Sequence, residues 1–215
     1  MKNAEAIRRP REAGGPAFGV RAAHEDDARI LVRGDVFCTV RNGATQKVEQ
    51  HWERRNLVVL DASILVARLM KDSQEPPHGI FALAVGTGDV GWDLQNPPAP
   101  TNTQRSLYGE IARKTFANTQ FLDSGAVPTA IPTNVVDFTT TYAEAEAVGP
   151  LVEMGLLGGN VDSNMSITNP VLPPNGAYDD TVDLTTKDTL VNYLTFPVVN
   201  KPATSTLTIV WRLSF

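Results

Sequence analysis

The chain has 215 residues, 42% of them hydrophobic, a formal charge of −5 and a single cysteine, Cys38, so an intramolecular disulfide is excluded and the core must rest on apolar burial. No run approaches the ~18 apolar residues of a membrane span, and the opening MKNAEAIRRPREAGG lacks a signal-peptide apolar stretch, so a soluble protein made and used without Sec-type export is expected. Residues 1–55 carry 11 Lys/Arg against 8 Asp/Glu and residues 56–215 carry 8 against 16, and so acidic a body argues against a nucleic-acid groove.

Residues 1–30 are polar and carry Pro10, Gly14, Gly15 and Pro16 without a sustained apolar period. They read as an N-terminal arm, extended or disordered until another subunit binds it, followed by one β-rich domain over 31–215. Segments 32–40 and 46–52 both alternate, placing Val36, Cys38 and Val40 on one face and Val48, Gln50 and Trp52 on the other strand's face. Asn42-Gly43 between them tolerates positive φ and predicts a hairpin turn. The apolar spacing from Leu57 to Leu69, with Asn56 or Asp61 as a cap and Lys71 at the C-terminal dipole, predicts one helix over 57–71. Gly79–Val85 reads as a buried strand ending in Gly86-Thr87-Gly88, and the Pro/Asn/Asp/Gly-rich stretch 89–104 as a long surface loop. A turn of helix over 105–111 and a strand near 112–121 come next, then an alternating strand over 133–143 and a strand over Leu151–Leu157 closed by Gly158-Gly159. Residues 160–189 form a second excursion, and Leu190–Phe196 and Thr206–Phe215 complete the sheet. In the last segment Leu207, Ile209, Trp211, Leu213 and Phe215 alternate with Thr206, Thr208, Val210, Arg212 and Ser214, one face dry and one wet. The expected fold is mainly β: an antiparallel sandwich or barrel-like domain with one covering helix and the extended N-terminal arm.

Catalysis needs acids, bases or nucleophiles brought together. His24, His51 and His78 are scattered, without a second His or Cys at metal-ligand spacing. Gly86-Thr87-Gly88 lacks the Gly-Lys-Ser/Thr continuation of a phosphate loop and reads as a strand-end turn. Glu25-Asp26-Asp27 reads as a solvated charge run, since consecutive residues cannot all face one ion. Asp179, Asp180 and Asp183 share a loop but lack the EF-hand pattern. Glu144 and Glu146 mark the wet side of an extended strand. Arg33-Gly34-Asp35 matches an integrin-binding tripeptide by coincidence at a strand start. No catalytic, cofactor-binding or metal site is expected, and the protein reads as a non-enzyme. Trp92, Tyr178 and Tyr193 are the loop or loop-adjacent aromatics that a sugar-binding surface would use.

Five short pieces occur in a shared order: Asn56-Leu57-Val58-Val59 with Leu65 and Leu69; Ala84-Val85-Gly86-Thr87-Gly88; Glu110-Ile111-Ala112-Arg113-Lys114; Glu153-Met154-Gly155-Leu156-Leu157-Gly158; and Thr206 to Leu213. This order resembles a phage tail-associated family of structural proteins. The resemblance implies a virion component near the tail tip, baseplate or fibre attachment, assembled in the bacterial host cytoplasm. It implies as partners other virion subunits (tail tube, baseplate or fibre proteins) and no enzymatic activity. The arm and loops would supply the contacts of a homo-oligomer in a symmetric assembly. A capsid decoration protein, a receptor- or carbohydrate-binding module and a hydrolase remain as alternatives.

Overall fold

A computed structural model describes residues 32–71, 78–159 and 188–215. The chain divides into two units, Met1–Leu31 and Val32–Phe215. The predicted arm therefore lies outside the described residues, as does most of the excursion predicted over 160–189.

The body runs β1 (Arg33–Asn42), β2 (Val48–Arg55), β3 (Leu57–Val58), α1 (Asp61–Lys71), β4 (His78–Gly86), β5 (Glu110–Thr115) and β6 (Asn118–Leu122). It continues through β7 (Pro128–Thr129), β8 (Val135–Tyr142), β9 (Gly149–Gly159), β10 (Asp188–Lys201) and β11 (Ser205–Ser214). The first sheet has the order β2-β1-β11-β8-β6-β7 and the second β3-β10-β9-β4-β5, every pairing antiparallel. Neither sheet closes on itself. The architecture is a sandwich, and the barrel alternative falls away.

Alternation built this core. Val36, Cys38 and Val40 of β1, Leu207, Ile209, Trp211 and Leu213 of β11, and Phe138 and Tyr142 of β8 all face inward from the first sheet. They meet Leu83 and Val85 of β4, Met154 and Leu156 of β9, and Val191, Leu194 and Phe196 of β10. The Tyr142 hydroxyl donates to the Leu83 carbonyl at 2.8 Å, tying one sheet to the other through an otherwise apolar layer. Each fully buried large apolar side chain contributes about 1.5–3 kcal/mol relative to exposure. Burial of Cys38 pushes its thiol up to about 12, so it is un-ionised packing material.

The second sheet is dry on both faces. Ala82, Ala84, Leu157, Leu190 and Tyr193 point away from the first sheet and form a separate cluster with Val59 and Leu107. The cover is the segment 87–109, which takes in the stretch 89–104 expected as a surface loop. It is lashed down by Leu60 N–H to the Asn102 carbonyl (2.8 Å), Val198 N–H to the Leu94 carbonyl (2.8 Å) and the Thr195 hydroxyl to the Pro98 carbonyl (2.8 Å). Small residues make room beneath it: a Cβ on Gly155 would come within 2.6 Å of Leu190 Cδ1 and 2.9 Å of the Asn192 carbonyl.

Several expectations are corrected. The helix begins at Asp61, not at 57, because Leu57 and Val58 pair with Tyr193 and Asn192 of β10. Its buried face is Asp61, Ala62 and Leu65, leaving Leu60, Val66 and Leu69 exposed: the period was right and the phase wrong. No helical turn occurs over 105–111, and the strand near 112–121 is two strands. Between them Phe116 and Ala117 carry the chain from the second sheet to the first, with Phe116 packed against Phe138 at 4.9 Å. Glu144 and Glu146 sit in the turn joining β8 to β9. The β1–β2 turn takes its positive φ at Gln46 (58°) while Asn42 Oδ1 accepts from the Ala44 and Thr45 amides at 3.1 and 2.9 Å. Val48 and Gln50 are exposed, and Trp52 alone of that face is half-buried, stacked at 4.9 Å on Phe196. Phe215, placed on the dry face by alternation, is 49% exposed because its strand ends at Ser214.

Candidate functional site

Three polar constellations stand out. The first is centred on Glu153 in β9, which has no exposed surface. Its Oε1 accepts from the Gly88 amide (3.1 Å) and the Gly109 amide (2.7 Å). Its Oε2 accepts from the Tyr108 amide (3.0 Å) and the Tyr193 hydroxyl (2.6 Å). Burial, then the neighbouring Glu153 charge, pushes the Tyr193 phenol well above its usual range, so it donates as the neutral phenol. One carboxylate thus pins both ends of the covering segment. Gly88, at φ 71°, turns the chain where a side chain would strike Trp92. With every oxygen engaged by internal donors, Glu153 presents nothing to a substrate.

The second is Arg113 of β5, also without exposed surface, held between Glu110 and Asp188. Its Nε and Nη2 donate to Glu110, the latter at 2.7 Å, and Nη1 donates to Asp188 Oδ2 at 2.5 Å. Burial pushes the Glu110 carboxyl up, and the bond from Arg113 only partly offsets it. Burial alone would lower Arg113, but Glu110 and Asp188 hold it above its ordinary value. Next to it, Lys114 Nζ reaches Glu146 Oε2 at 2.6 Å, and Lys201 Nζ donates to the Ala143 and Glu144 carbonyls at 2.9 Å each. These bonds fasten the β8–β9 crossover.

The third lies on the outer face of the first sheet, with Arg212 and Asp35 part-exposed and Asp137 buried. Register sets Arg55, Asp35, Arg212 and Asp137 side by side across β2, β1, β11 and β8, a row of alternating sign. Arg212 grips Asp137 with two bonds of 2.7 and 2.9 Å, and its guanidinium lies 5.3 Å from the Phe37 ring centre. The bond to Asp137 holds Arg212 above its usual value. Arg33, Phe37, Glu53 and Arg55 help line a shallow groove of about 430 Å³ there. The groove is mixed in charge, with Arg33, Arg55 and Arg212 beside Asp35 and Glu53.

Among the described residues no group of three His, Cys, Asp or Glu could hold a metal ion, and no helix is long and apolar enough to cross a membrane. His51 is exposed and its Nδ1 lies 2.9 Å from the Thr39 hydroxyl. Asp179, Asp180, Asp183, Glu25, Asp26, Asp27, His24 and Tyr178 lie outside the described residues, and nothing is described of the His78 side chain. Arg33-Gly34-Asp35 is part of β1, where Arg33 pairs with Asp35 and a side chain at Gly34 would collide with Asn56. Of the aromatics weighed for sugar stacking, Tyr193 is 1% exposed, and Trp92 packs edge-on against Tyr108 at 4.9 Å. Sequence reading missed Asp188 and the Arg212–Asp137 pair. The signal for the latter was present: both residues fall on wet positions of alternating strands. No local pattern marks Asp188 as the partner of Arg113, 75 residues away.

No protein-family model matches the chain, and no curated protein matches it.

Proposed function

We propose that the chain is a structural subunit of a bacteriophage or phage-derived particle, placed in the tail or baseplate, where it joins neighbouring subunits or fibres. The observation that carries the reading is where the family-like pieces fall. Gly86-Thr87-Gly88 and Glu153 meet in one buried knot. Glu110 and Arg113 form another, and Lys114 fastens the adjacent crossover. The final piece is the central strand of the first sheet. The resemblance therefore falls on groups that stiffen a sandwich, and not on an accessible acid, base or nucleophile. A stiff body with an open, charge-patterned face suits a component that is held by its neighbours.

Imaging of assembled particles tests the proposal. Density for this subunit at the tail tip, baseplate or fibre junction is the expected result. Density on the head shell would favour a decoration protein instead, and its absence from particles would overturn both.

A further inference from the structure

β2 ends the first sheet, and among the described residues no strand pairs with its outer side. Which backbone groups it offers follows from the ladder. Asn56 N–H donates to the Gly34 carbonyl at 3.1 Å, in line with the register Asp35↔Arg55 and Val36↔Arg54. Even-numbered residues of β2 therefore spend their backbone groups on β1, and His51, Glu53 and Arg55 aim theirs outward. An edge of this kind is a template for strand addition unless something blocks it. The bulge between Val40 and Arg41 distorts only the Val48–Glu49 end, where Glu49 is drawn to Ser205 (2.6 Å) and Asn42 (3.3 Å).

We propose that β2 pairs antiparallel with β2 of a second copy about a two-fold axis at Trp52, fusing two six-stranded sheets into one. The strand's own charges select this register. Outward groups lie on odd residues, so a two-fold pairing can be centred only on one residue facing itself. Centring on His51 sets Glu49 against Glu53 twice; on Glu53, carboxylate against carboxylate; on Arg54, guanidinium against guanidinium. Centring on Gln50 shortens the overlap and falls at the bulge. Centring on Trp52 aligns the strand with itself. His51 then faces Glu53 of the second copy, Gln50 faces its Arg54, and Trp52 meets Trp52 in the closer, non-hydrogen-bonded position. The charges that guard this edge against most partners thus admit one. The choice of a second copy as occupant rests on the subunit reading above; the register does not.

The test uses the full chain. Gln50→Cys and Arg54→Cys each place one thiol at an exposed position, and the native Cys38 is buried and does not compete. Facing residues in this position have Cα atoms about 4.5 Å apart, within disulfide range. Mixed and mildly oxidised, the two variants are expected to give a disulfide-linked dimer of one chain of each kind, while either alone gives no disulfide-linked product. Glu53→Pro in both chains removes an outward N–H and the carboxylate that faces His51, and no bond to β1; the mixed product should vanish with thermal unfolding unchanged. No mixed product, or as much self-linked product from a single variant, would overturn the pairing. A chain found in the particle that gives no mixed disulfide overturns the pairing alone. One that cross-links as expected but is missing from the particle overturns the subunit reading alone.

Discussion

Glu153 is the residue on which the covering segment depends. Replacement by Gln keeps the shape but sets an amide NH2 against at least one of four donors, leaving buried N–H or O–H groups without an acceptor. Such a loss costs about 3–5 kcal/mol, and chemical denaturation is expected to show it. Hydrogen exchange at the Gly88, Tyr108 and Gly109 amides should rise along with it, which a general loss of packing would not single out. Trp211, with no exposed surface in the middle of β11, offers a contrasting case. Trp211→Ala removes apolar volume between the sheets and should cost about 3–5 kcal/mol, with exchange accelerated across the whole core. Unchanged stability would mean that the indole does not face the inter-sheet layer.

Among the elements, the crossover from β8 to β9 is fastened by side-chain ties. The β8–β9 turn is held by Glu146, which accepts from Lys114 Nζ at 2.6 Å and from the Ala143 amide at 2.8 Å. Partial burial raises the Glu146 carboxyl, but Lys114 and the Ala143 amide outweigh it and hold it below the usual glutamate range. A carboxylate lowered on folding adds stability above its unfolded pKa, and that stability is lost as pH falls through the folded value. The wild type should therefore lose stability relative to Glu146→Gln as pH drops below 4.5, after a difference of about 1 kcal/mol near neutrality. Parallel titration of thermal unfolding for the two proteins checks it; a gap that is flat with pH would place the contribution elsewhere. The helix carries a lesson at the same scale. Its period was legible from Leu57 to Leu69, but Leu57 and Val58 were taken into the second sheet and the buried stripe moved by one residue. Periodicity reports that a segment has two faces, and only the neighbours decide which face is dry.

For the whole molecule, the body over Val32–Phe215 forms a unit by itself. Deleting residues 2–29 is expected to leave its thermal unfolding unchanged while abolishing incorporation into particles. Normal incorporation would remove that segment from the assembly mechanism. The two layers give the body its stiffness, and the segment 87–109 adds a third covering to the second sheet. Trp92 belongs to that covering through Gly88 and Tyr108. Trp92→Ala should therefore loosen the covering, seen as faster exchange at Gly88, whether or not a glycan is present. Glycan binding that disappears in this variant, with exchange unchanged, would favour a sugar-binding module over the structural subunit.

Alternation in the residues themselves determined that this is an antiparallel β protein with a Trp211-centred core, because a two-residue period leaves one face for burial whatever the partner. It also determined the β1–β2 hairpin and the strand β4, where local turn chemistry and apolar runs suffice. Only the tertiary structure decided that the sheets stay open, that 87–109 is a cover and not a free loop, and that Glu153 and the Glu110–Arg113–Asp188 group are internal ties. Those outcomes depend on donors and acceptors tens of residues apart, and a buried carboxylate looks in sequence like a catalytic one until its hydrogen-bond partners are known.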